Sequence, residues 1–373
     1  MGKTNIEWTD HSWPVLNGCL RTSPGCANCY AERLTATRLR HLPKYAGLAQ
    51  WSERQGGPGW TGESRLWGKD LKMPLRLRSP SRIFVCDMGD LFFEQNTNEQ
   101  IAAVFGVMAA APQHTFQVLT KRTERMRRWF MWVDSFTAEP LAAGTISRCE
   151  LCAEQAGALP PGTHQSRRLL NDLDKHGYLV FQQWPLRNVH LGVSVEDQQR
   201  ADERIPHLLQ TPATVRFLSC EPLLEKINLR HLDADRAGHT SMCQVDALTG
   251  RHSDMGRPCR DVARIDWVIV GGESGPGARP CDVRWVHDIV EQCRAAGVPA
   301  FVKQLGSRPL GVRSLKDRKG GDMSEWPAGL RARMMPGDTW PVCPCMTDVE
   351  DPGPHIDGCG YLSRVAREMQ EMP

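Results

Sequence analysis

The sequence lacks any long hydrophobic run. No stretch of eighteen or more apolar residues occurs, which argues against a membrane span. The first residues, MGKTNIEWTDHSW, contain no apolar segment of the kind that a secretory signal requires, so we expect a cytoplasmic protein. No internal repeat is found. The composition, 40% hydrophobic and 24% charged residues, is instead that of an ordinary globular protein.

An excess of charge of one sign is also missing. The formal net charge is +3, and this total says almost nothing about nucleic-acid binding. Two stretches do concentrate positive charge near apolar or aromatic residues, namely KRTERMRRWF (121–130) and PLRLRSPSR (74–82). Each is either a solvated helix face or a patch that faces phosphate groups.

Six short apolar runs predict buried parallel strands, because their apolar residues are continuous rather than alternating. They are RIFVCD (82–87), TFQVLT (115–120), NVHLGVS (188–194), VRFLSC (215–220), DWVIVGG (266–272) and PAFVKQ (299–304). An earlier strand is expected between Ile6 and Leu16. Helix patterns lie between the strands, for example over 98–112, with Asn98 as N-cap, and over 283–299, ended by Gly297 and Pro299.

This repeated order of strand, loop and helix predicts an α/β fold. We expect a partial or complete (β/α) TIM-like barrel of six to seven parallel strands over residues 1–310, and an open doubly wound sheet is the alternative. Segments rich in Gly, Pro or charge interrupt the pattern at 134–187 and 231–264, and we interpret them as insertions. Residues 311–373 are expected to form a small C-terminal metal-binding appendage.

Polar and reactive residues follow each predicted strand at once. They occur in CDMGD (86–90), TKR (120–122), SVEDQ (194–198), CEP (220–222), GGESGPG (271–277) and KQ (303–304). The carboxyl ends of barrel strands form one rim, where chemistry collects. Packing alone does not explain six such strand ends, so we predict a functional site there.

Cysteines are numerous, and three of the fourteen lie on one short glycine-studded stretch, VLNGCLRTSPGCANCYAERL (15–34). In a reducing compartment such clustering favours metal or catalytic thiols over disulfides. Cys19, Cys26 and Cys29 have the spacing Cys-x6-Cys-x2-Cys, which can hold a [4Fe–4S] cluster and leave one iron open. A structural zinc site needs four ligands, so the alternative is a zinc knuckle completed by His11 or by a distant cysteine.

Several motifs together resemble the phage three-cysteine-motif protein family. They are TNIEWTDHSW, the cysteine loop, DMGDLF, LGVSVEDQ, FLSCEPL, DWVIVGGESGPGARP and FVKQLG, between Lys3 and Gly306. That family is in turn similar to radical S-adenosylmethionine (SAM) enzymes of the spore photoproduct lyase-like group. The usual radical SAM loop has three residues between its first two cysteines and a hydrophobic residue before the last, where this chain has six residues and Asn28.

The resemblance implies a role for each matching residue. Cys19, Cys26 and Cys29 would hold three irons of a [4Fe–4S] cluster, and the fourth iron would bind SAM. The other SAM-binding residues would come from three strand ends: Gly89 with Asp90, Ser194 with Glu196, and Gly271 and Gly272 with Glu273.

A catalytic set is predicted at the same rim: Cys220, Glu221, Lys121 and Lys303. Cys220 is either a buried structural cysteine or a hydrogen-atom donor to a substrate radical. Lys121, Arg122 and Lys303 either form a positive pocket for a phosphate or carboxylate, or pair with Glu196, Glu221 or Glu273.

Further cysteines suggest zinc. Cys343, Cys345, His355 and Cys359 form a candidate structural zinc site in the C-terminal segment. Cys149 and Cys152 make half of a candidate second site, which Cys243 and Cys259 could complete.

The leading hypothesis is an iron–sulfur cluster-dependent radical SAM-type enzyme that modifies or repairs a nucleic-acid base or nucleotide, its lyase, transferase or isomerase class left open. Its cofactors would be a [4Fe–4S] cluster, SAM and zinc. Its partners would be an electron donor, DNA or a nucleotide, and a phage-encoded protein, and it would not bind a membrane. Its location would be the cytoplasm of a bacterial host. One alternative is a non-catalytic zinc-stabilised nucleic-acid-binding protein. Another is a hydrolase on a TIM-like barrel that uses Glu221 and Glu273 as paired carboxylates.

Overall fold

The chain has a mixed α/β fold, seen in a computed structural model. The structure describes residues 2–52, 56–135, 141–163, 172–173, 179–180, 184–233, 243–254, 257–258, 263–313 and 315–340. The chain divides into two compact units. The first unit consists of Met1–Val193 and Gln210–Arg216, and the second consists of Ser194–Leu209 and Phe217–Pro373. The main, mostly parallel sheet has eight strands, five mainly in the first unit and three mainly in the second.

The first unit contains eleven of the described strands and five of the described helices. Its strands are β1 (Gly2–Lys3), β2 (His11–Trp13), β3 (Leu16–Asn17), β4 (Ala49–Ser52), β5 (Gly57–Trp60), β6 (Arg65–Leu66), β7 (Arg82–Val85), β8 (Thr115–Thr120), β9 (Asp172–Leu173), β10 (Leu179–Val180) and β11 (Val189–Ser194). Its helices are α1 (Tyr30–Ala36), α2 (Gly68–Leu71), α3 (Asn98–Ala110), α4 (Thr123–Asp134) and α5 (Leu141–Gln155), with 3₁₀ turns at Pro24–Cys26 and Pro74–Arg76. In its part of the main sheet, β2, β7, β8 and β11 run parallel in that order, and β1 pairs antiparallel with β2.

The core of this unit lies around α3, which is buried along almost its whole length. Phe105 of α3 stacks on Trp129 of α4, with 4.4 Å between ring centroids. α3 begins at a capping box, in which Thr97 and Gln100 satisfy each other's backbone N–H groups. The N-cap is therefore Thr97, and the prediction of Asn98 was wrong by one residue, because the Thr97 hydroxyl reaches the Gln100 N–H.

The second unit contains the remaining described elements. Its strands are β12 (Val215–Cys220), β13 (Leu232–Asp233), β14 (Cys243–Asp246), β15 (Arg251–Asp254), β16 (Arg257–Pro258), β17 (Trp267–Gly271), β18 (Cys281–Asp282), β19 (Ala300–Gln304) and β20 (Pro309–Leu310). Its helices are α6 (Gln198–Leu209) and α7 (Val283–Ala295), with 3₁₀ turns at Met323–Glu325 and Ala328–Leu330. β12, β17 and β19 run parallel in that order, and β13 to β16 form a separate antiparallel sheet within the segment predicted as an insertion.

The structure confirms the predicted α/β class and each of the six predicted strands to within a few residues. α7 ends before Gly297, which takes a positive φ of 67° and so stops the helix as expected. Residues 315–340 return to the edge of the second unit, where the Val302 N–H donates to the Ala332 carbonyl at 2.7 Å. Among the described helices, none combines the length and apolar character needed to cross a bilayer.

Candidate functional site

The three-cysteine loop lies against the carboxyl end of β7 in the first unit. The Gly18 N–H donates to the Met88 carbonyl at 3.1 Å, and Gly18 and Gly89 form a parallel bridge. A Cβ atom on Gly89 would lie 2.8 Å from the Leu16 carbonyl oxygen and 2.9 Å from that of Gly18. Glycine is therefore required at position 89 for the two backbones to approach so closely.

The three cysteines of the loop are free thiols and are partly exposed. Burial raises the pKa of Cys19 to about 12, the Asp90 charge adds to this rise, and Arg122 opposes it. Burial also raises the pKa of Cys29, although hydrogen bonds from the backbone N–H groups of Glu32 and Ala31 act to lower it. Both thiols therefore need a strongly electropositive partner, such as a metal centre, to become thiolates at neutral pH.

The chemistry of this donor set fits an iron–sulfur cluster. Three soft sulfur ligands come from one loop, and a cluster spreads its thiolates over different irons. Among the described residues, no three His, Cys, Asp or Glu side chains are grouped so that they could hold a single metal ion. The thiols of the loop are thus not gathered into a single-ion site, and the fit to a cluster rests on their number and softness alone.

Arg122, at the start of α4, connects the cysteine loop to the strand ends. Its guanidinium donates to the Leu20 carbonyl at 2.7 Å and to the Cys19 thiol at 3.5 Å. It also pairs with Asp90 at 3.3 Å and with Glu94 at 2.7 Å. Burial acts to lower the pKa of Arg122, but the charges of Asp90, Cys19 and Glu94 hold it above its usual value. Arg122 is thus a permanent, buried cation next to the first cysteine.

Asp90 is a buried carboxylate beside Arg122, and both of its oxygens accept hydrogen bonds from other residues of the first unit. It accepts hydrogen bonds from the Thr120 hydroxyl at 2.7 Å, from the Lys121 N–H at 3.1 Å and from the Phe92 N–H at 3.0 Å. Together with Arg122, these contacts join the ends of β7 and β8. Lys121 contributes its backbone, and its ammonium makes no ion pair with any residue that the structure describes.

The loop is held at its other end by a second ion pair, in which only the carboxylate is buried. Glu32 of α1 is almost fully buried and binds the Arg21 guanidinium, with 2.5 Å between Arg21 Nη2 and a carboxylate oxygen. Glu32 also accepts the Trp60 N–H at 2.8 Å. The sequence reasoning missed this pair, although an arginine and a glutamate flank the last two cysteines and could have indicated it.

Asp87 is a further carboxyl that sequence reasoning missed. Burial raises its pKa to about 6, and the Tyr30 hydroxyl donates to its backbone carbonyl at 2.7 Å. It follows Cys86, which has a positive φ of 59° that is unusual for a residue other than glycine. The motif CDMGD contains two aspartates, and only Asp90 was singled out.

In the second unit, the predicted catalytic residues Glu221 and Lys303 form an ion pair. Lys303 Nζ lies 2.8 and 3.0 Å from the two carboxylate oxygens of Glu221, and the Gln304 amide donates to one of them at 3.1 Å. Of the two roles that the sequence left open for Lys303, the structure therefore shows the salt bridge.

The two other predicted carboxylates of this unit are also paired. Glu196 is fully buried and binds Arg204 at 2.8 Å, and Arg204 also donates to the Ser194 carbonyl. Glu273 binds Arg279 through both carboxylate oxygens, at 2.7 and 2.9 Å. Each carboxylate thus has its cation within eight residues along the chain.

The glycines before Glu273 have a packing role. A Cβ atom on Gly272 would lie 2.3 Å from the Leu305 carbonyl oxygen, and one on Gly271 would lie 3.0 Å from that of Gln304. These contacts keep the end of β17 close to the chain that follows β19.

Of the remaining cysteines singled out in the sequence, three are buried, Cys243 begins β14, and the others lie outside the described residues. Cys220 and Cys293 of α7 are both fully buried in the core of the second unit. Burial raises the pKa of the Cys293 thiol, and the neighbouring Cys220 raises it further. Cys149 and Cys152 are buried on α5, where the Cys149 backbone packs on Gly106 of α3. The predicted zinc ligands Cys343, Cys345, His355 and Cys359, as well as Cys259, lie outside the described residues.

Comparison with known proteins places the chain in a family without assigning an activity. Neither the curated proteins nor the solved structures provide a match. A family described as "Protein of unknown function (DUF5131)" matches residues 3–341. This match covers more than half of the 373 residues, and the chain therefore belongs to that family.

Proposed function

We propose that this protein is an iron–sulfur enzyme of the radical SAM type that modifies or repairs a nucleic-acid base or nucleotide. The observation that carries the proposal is the position of Cys19, which lies beside the buried Arg122 and Asp90 at the carboxyl ends of parallel strands. Carboxyl ends of such strands are where α/β enzymes collect their catalytic groups.

In this proposal Cys19, Cys26 and Cys29 hold three irons of a [4Fe–4S] cluster. When bound, the cluster and SAM supply a radical through one-electron cleavage of the SAM sulfonium, with the electron taken from a separate donor protein. Arg122 favours the thiolate form of Cys19 by its charge and fixes the loop by its bond to the Leu20 carbonyl. Asp90 in turn orients Arg122.

Other parts of the proposal remain predictions. These are closure of the parallel strands into a partial or complete barrel, SAM contacts by Gly89, Asp90, Ser194, Glu196, Gly271, Gly272 and Glu273, and hydrogen donation by Cys220. Glu196 and Glu273 would have to bind SAM while keeping, or after releasing, the arginines that they now hold.

The decisive experiment is anaerobic reconstitution with iron and sulfide, followed by visible absorption and EPR spectra with and without SAM. We expect a [4Fe–4S] signal that shifts when SAM is added. Cys26→Ala should abolish the signal, whereas Cys220→Ala, a buried cysteine outside the loop, should keep both the cluster and SAM cleavage.

Two results would contradict the proposal. A colourless protein that contains only zinc would exclude the cluster and favour a zinc-stabilised nucleic-acid-binding protein. A cluster that persists in Cys26→Ala would show that other cysteines hold the iron.

A further inference from the structure

The second unit carries a strongly basic loop. Residues 307–319, SRPLGVRSLKDRK, contain five Lys or Arg residues and one acidic residue. We call this segment the basic loop, and its described residues are 307–313 and 315–319. Its charge density contrasts with the near balance of the whole chain, whose net charge is +3.

The basic loop is held at both ends. The Leu305 N–H donates to the Gly320 carbonyl at 2.8 Å, and the Gly306 N–H donates to the Lys319 carbonyl at 3.1 Å. At its start, the Ser307 N–H donates to the Glu273 carbonyl at 2.8 Å. Further along, β20 pairs with β18. A closed loop of this length with adjacent ends is an Ω-loop, a structure that is frequently functional.

A cavity of about 720 Å³ lies between the basic loop and the GPG turn that follows Glu273. Its wall includes Arg308, Arg313 and Arg318, together with apolar groups such as Leu310 and Val312. All three arginines are exposed, so their guanidinium groups are open to a ligand from solvent. The volume is within the range of sites that enclose a small organic ligand.

The positive charge of this cavity is not neutralised by the described residues. None of the three arginines forms an ion pair within the part of the chain that the structure describes. The one acidic group in the wall, Asp317, is turned to the backbone, where it accepts the N–H groups of Lys319 at 3.2 Å and Gly321 at 2.6 Å. The wall of the cavity therefore combines exposed cations with apolar groups.

We propose that this cavity binds the phosphodiester backbone of single-stranded nucleic acid. Arginine matches the geometry of phosphate oxygens with paired N–H donors, and the apolar wall suits sugars and base faces. A volume of about 720 Å³ suits a short stretch of one strand better than a duplex. This inference rests on the proposed function and narrows it, because it makes the substrate a polynucleotide strand rather than a free nucleotide.

The test compares two triple variants of the full chain with equal loss of charge. Arg308→Gln, Arg313→Gln and Arg318→Gln together remove the cations of the cavity. Arg38→Gln, Lys69→Gln and Lys72→Gln together remove three exposed cations of the first unit that lie outside both basic stretches of the sequence, and serve as the matched control. Binding of a fluorescent single-stranded DNA of twelve nucleotides, and of the RNA of the same sequence, is followed by anisotropy across a salt series.

Each phosphate contact on a single strand contributes about 0.7 to the slope of log affinity against log salt concentration, so loss of three contacts lowers the slope by about 2. Extrapolated from 1 M salt, this slope change makes binding about 100-fold weaker at 0.1 M salt. We expect this loss in the cavity variant, and near-unchanged binding in the control. Circular dichroism and thermal unfolding confirm that both variants fold.

Three results would overturn the inference: equal weakening in both variants, unchanged binding in the cavity variant, or tighter binding of the corresponding duplex than of the single strand. The DNA and RNA arms decide which strand the cavity takes. Binding is measured without iron or SAM. Failure to form a cluster would therefore leave the binding result valid, and failure to bind a strand would leave the cluster result valid.

Discussion

Replacement of Arg122 by methionine tests whether one buried cation holds the cysteine loop in place. The substitution keeps an unbranched side chain of similar length but removes all N–H donors and the charge. It leaves the Leu20 carbonyl without its 2.7 Å partner and Asp90 without its counter-charge. The side chains of Arg122 and Asp90 are only 5% and 7% exposed, so water does not readily replace what is lost.

The magnitude follows from which partners are buried. Loss of one member of a buried ion pair typically costs about 3–5 kcal/mol, since the other charge stays buried without compensation. Asp90 keeps the Thr120, Lys121 and Phe92 donors, which moves the expectation to the lower end of that range. The Glu94 carboxylate is 60% exposed and adds little. We expect the free energy of unfolding to fall by about 3 kcal/mol.

The assay is urea unfolding at pH 7, followed by fluorescence of the twelve tryptophans. The matched control is Arg82→Met, because Arg82 pairs with Asp10 at 2.7 Å but the two side chains are 36% and 41% exposed. An exposed pair of this kind contributes about 1 kcal/mol or less. Arg122→Lys should fall between the two, because an ammonium can face Asp90 but cannot also reach the Leu20 carbonyl.

Equal destabilisation by Arg122→Met and Arg82→Met would refute this reasoning. It would mean that the buried network around Asp90 is satisfied without the arginine. A second measurement separates position from stability: if Arg122 positions Cys19, then Arg122→Lys should bind less iron per chain even at temperatures where it is fully folded.

Two further predictions concern backbone packing and pH. Gly89→Ala places a Cβ atom 2.8 and 2.9 Å from two backbone carbonyl oxygens and should lower the free energy of unfolding by about 1–3 kcal/mol, whereas Gly68→Ala, with nothing within 4 Å, should be near neutral in the same urea assay. Asp87 has a folded-state pKa of about 6 against 3.8 when unfolded, so the folded state binds the proton more tightly and stability falls as pH rises through this interval. Asp87→Asn should therefore raise the free energy of unfolding at pH 7 by up to about 3 kcal/mol and leave it unchanged well below pH 4. His190, whose pKa burial lowers to about 4, acts oppositely: its contribution falls as pH drops from 6.5 to about 4, so His190→Gln should flatten the acid side of a pH–stability curve. An equal change in stability between pH 4 and pH 7 in wild type and Asp87→Asn would contradict the first of these pH predictions. An unchanged acid side of the curve in His190→Gln would contradict the second.

The strands of the main sheet could be predicted because each is a local pattern. A strand buried on both faces needs a continuous run of apolar residues, and runs such as TFQVLT and VRFLSC show this without knowledge of their neighbours. The N-cap of α3 was misplaced because Thr97 and Asn98 are both good capping residues. The difference between them is the reciprocal bond with Gln100, which depends on backbone geometry.

The ion pairs of the candidate site could be predicted only in part. Glu196 with Arg204, and Glu273 with Arg279, are only eight and six residues apart and could have been found as local pairs. The contact of Arg122 with the Leu20 carbonyl joins residues that are 102 positions apart, so it depends on how β7, β8 and the cysteine loop meet. Sequence spacing contains no direct signal of such a contact.

The glycine-rich motif after β17 has a sufficient explanation in packing. β17 lies between β12 and β19, and the ion pair of Glu221 with Lys303 joins the ends of those two outer strands. A side chain at Gly272 would collide with the Leu305 backbone, so the residue must be small for any protein with this strand arrangement. The motif therefore does not distinguish an adenosine site from a tightly packed strand end. The cysteine loop is a different case, because packing alone gives no reason for three partly exposed thiols, one of them 3.5 Å from a buried arginine. For this reason the cofactor proposal depends on Cys19, Cys26 and Cys29, and removal of one of these thiols tests it more directly than any change at the glycines.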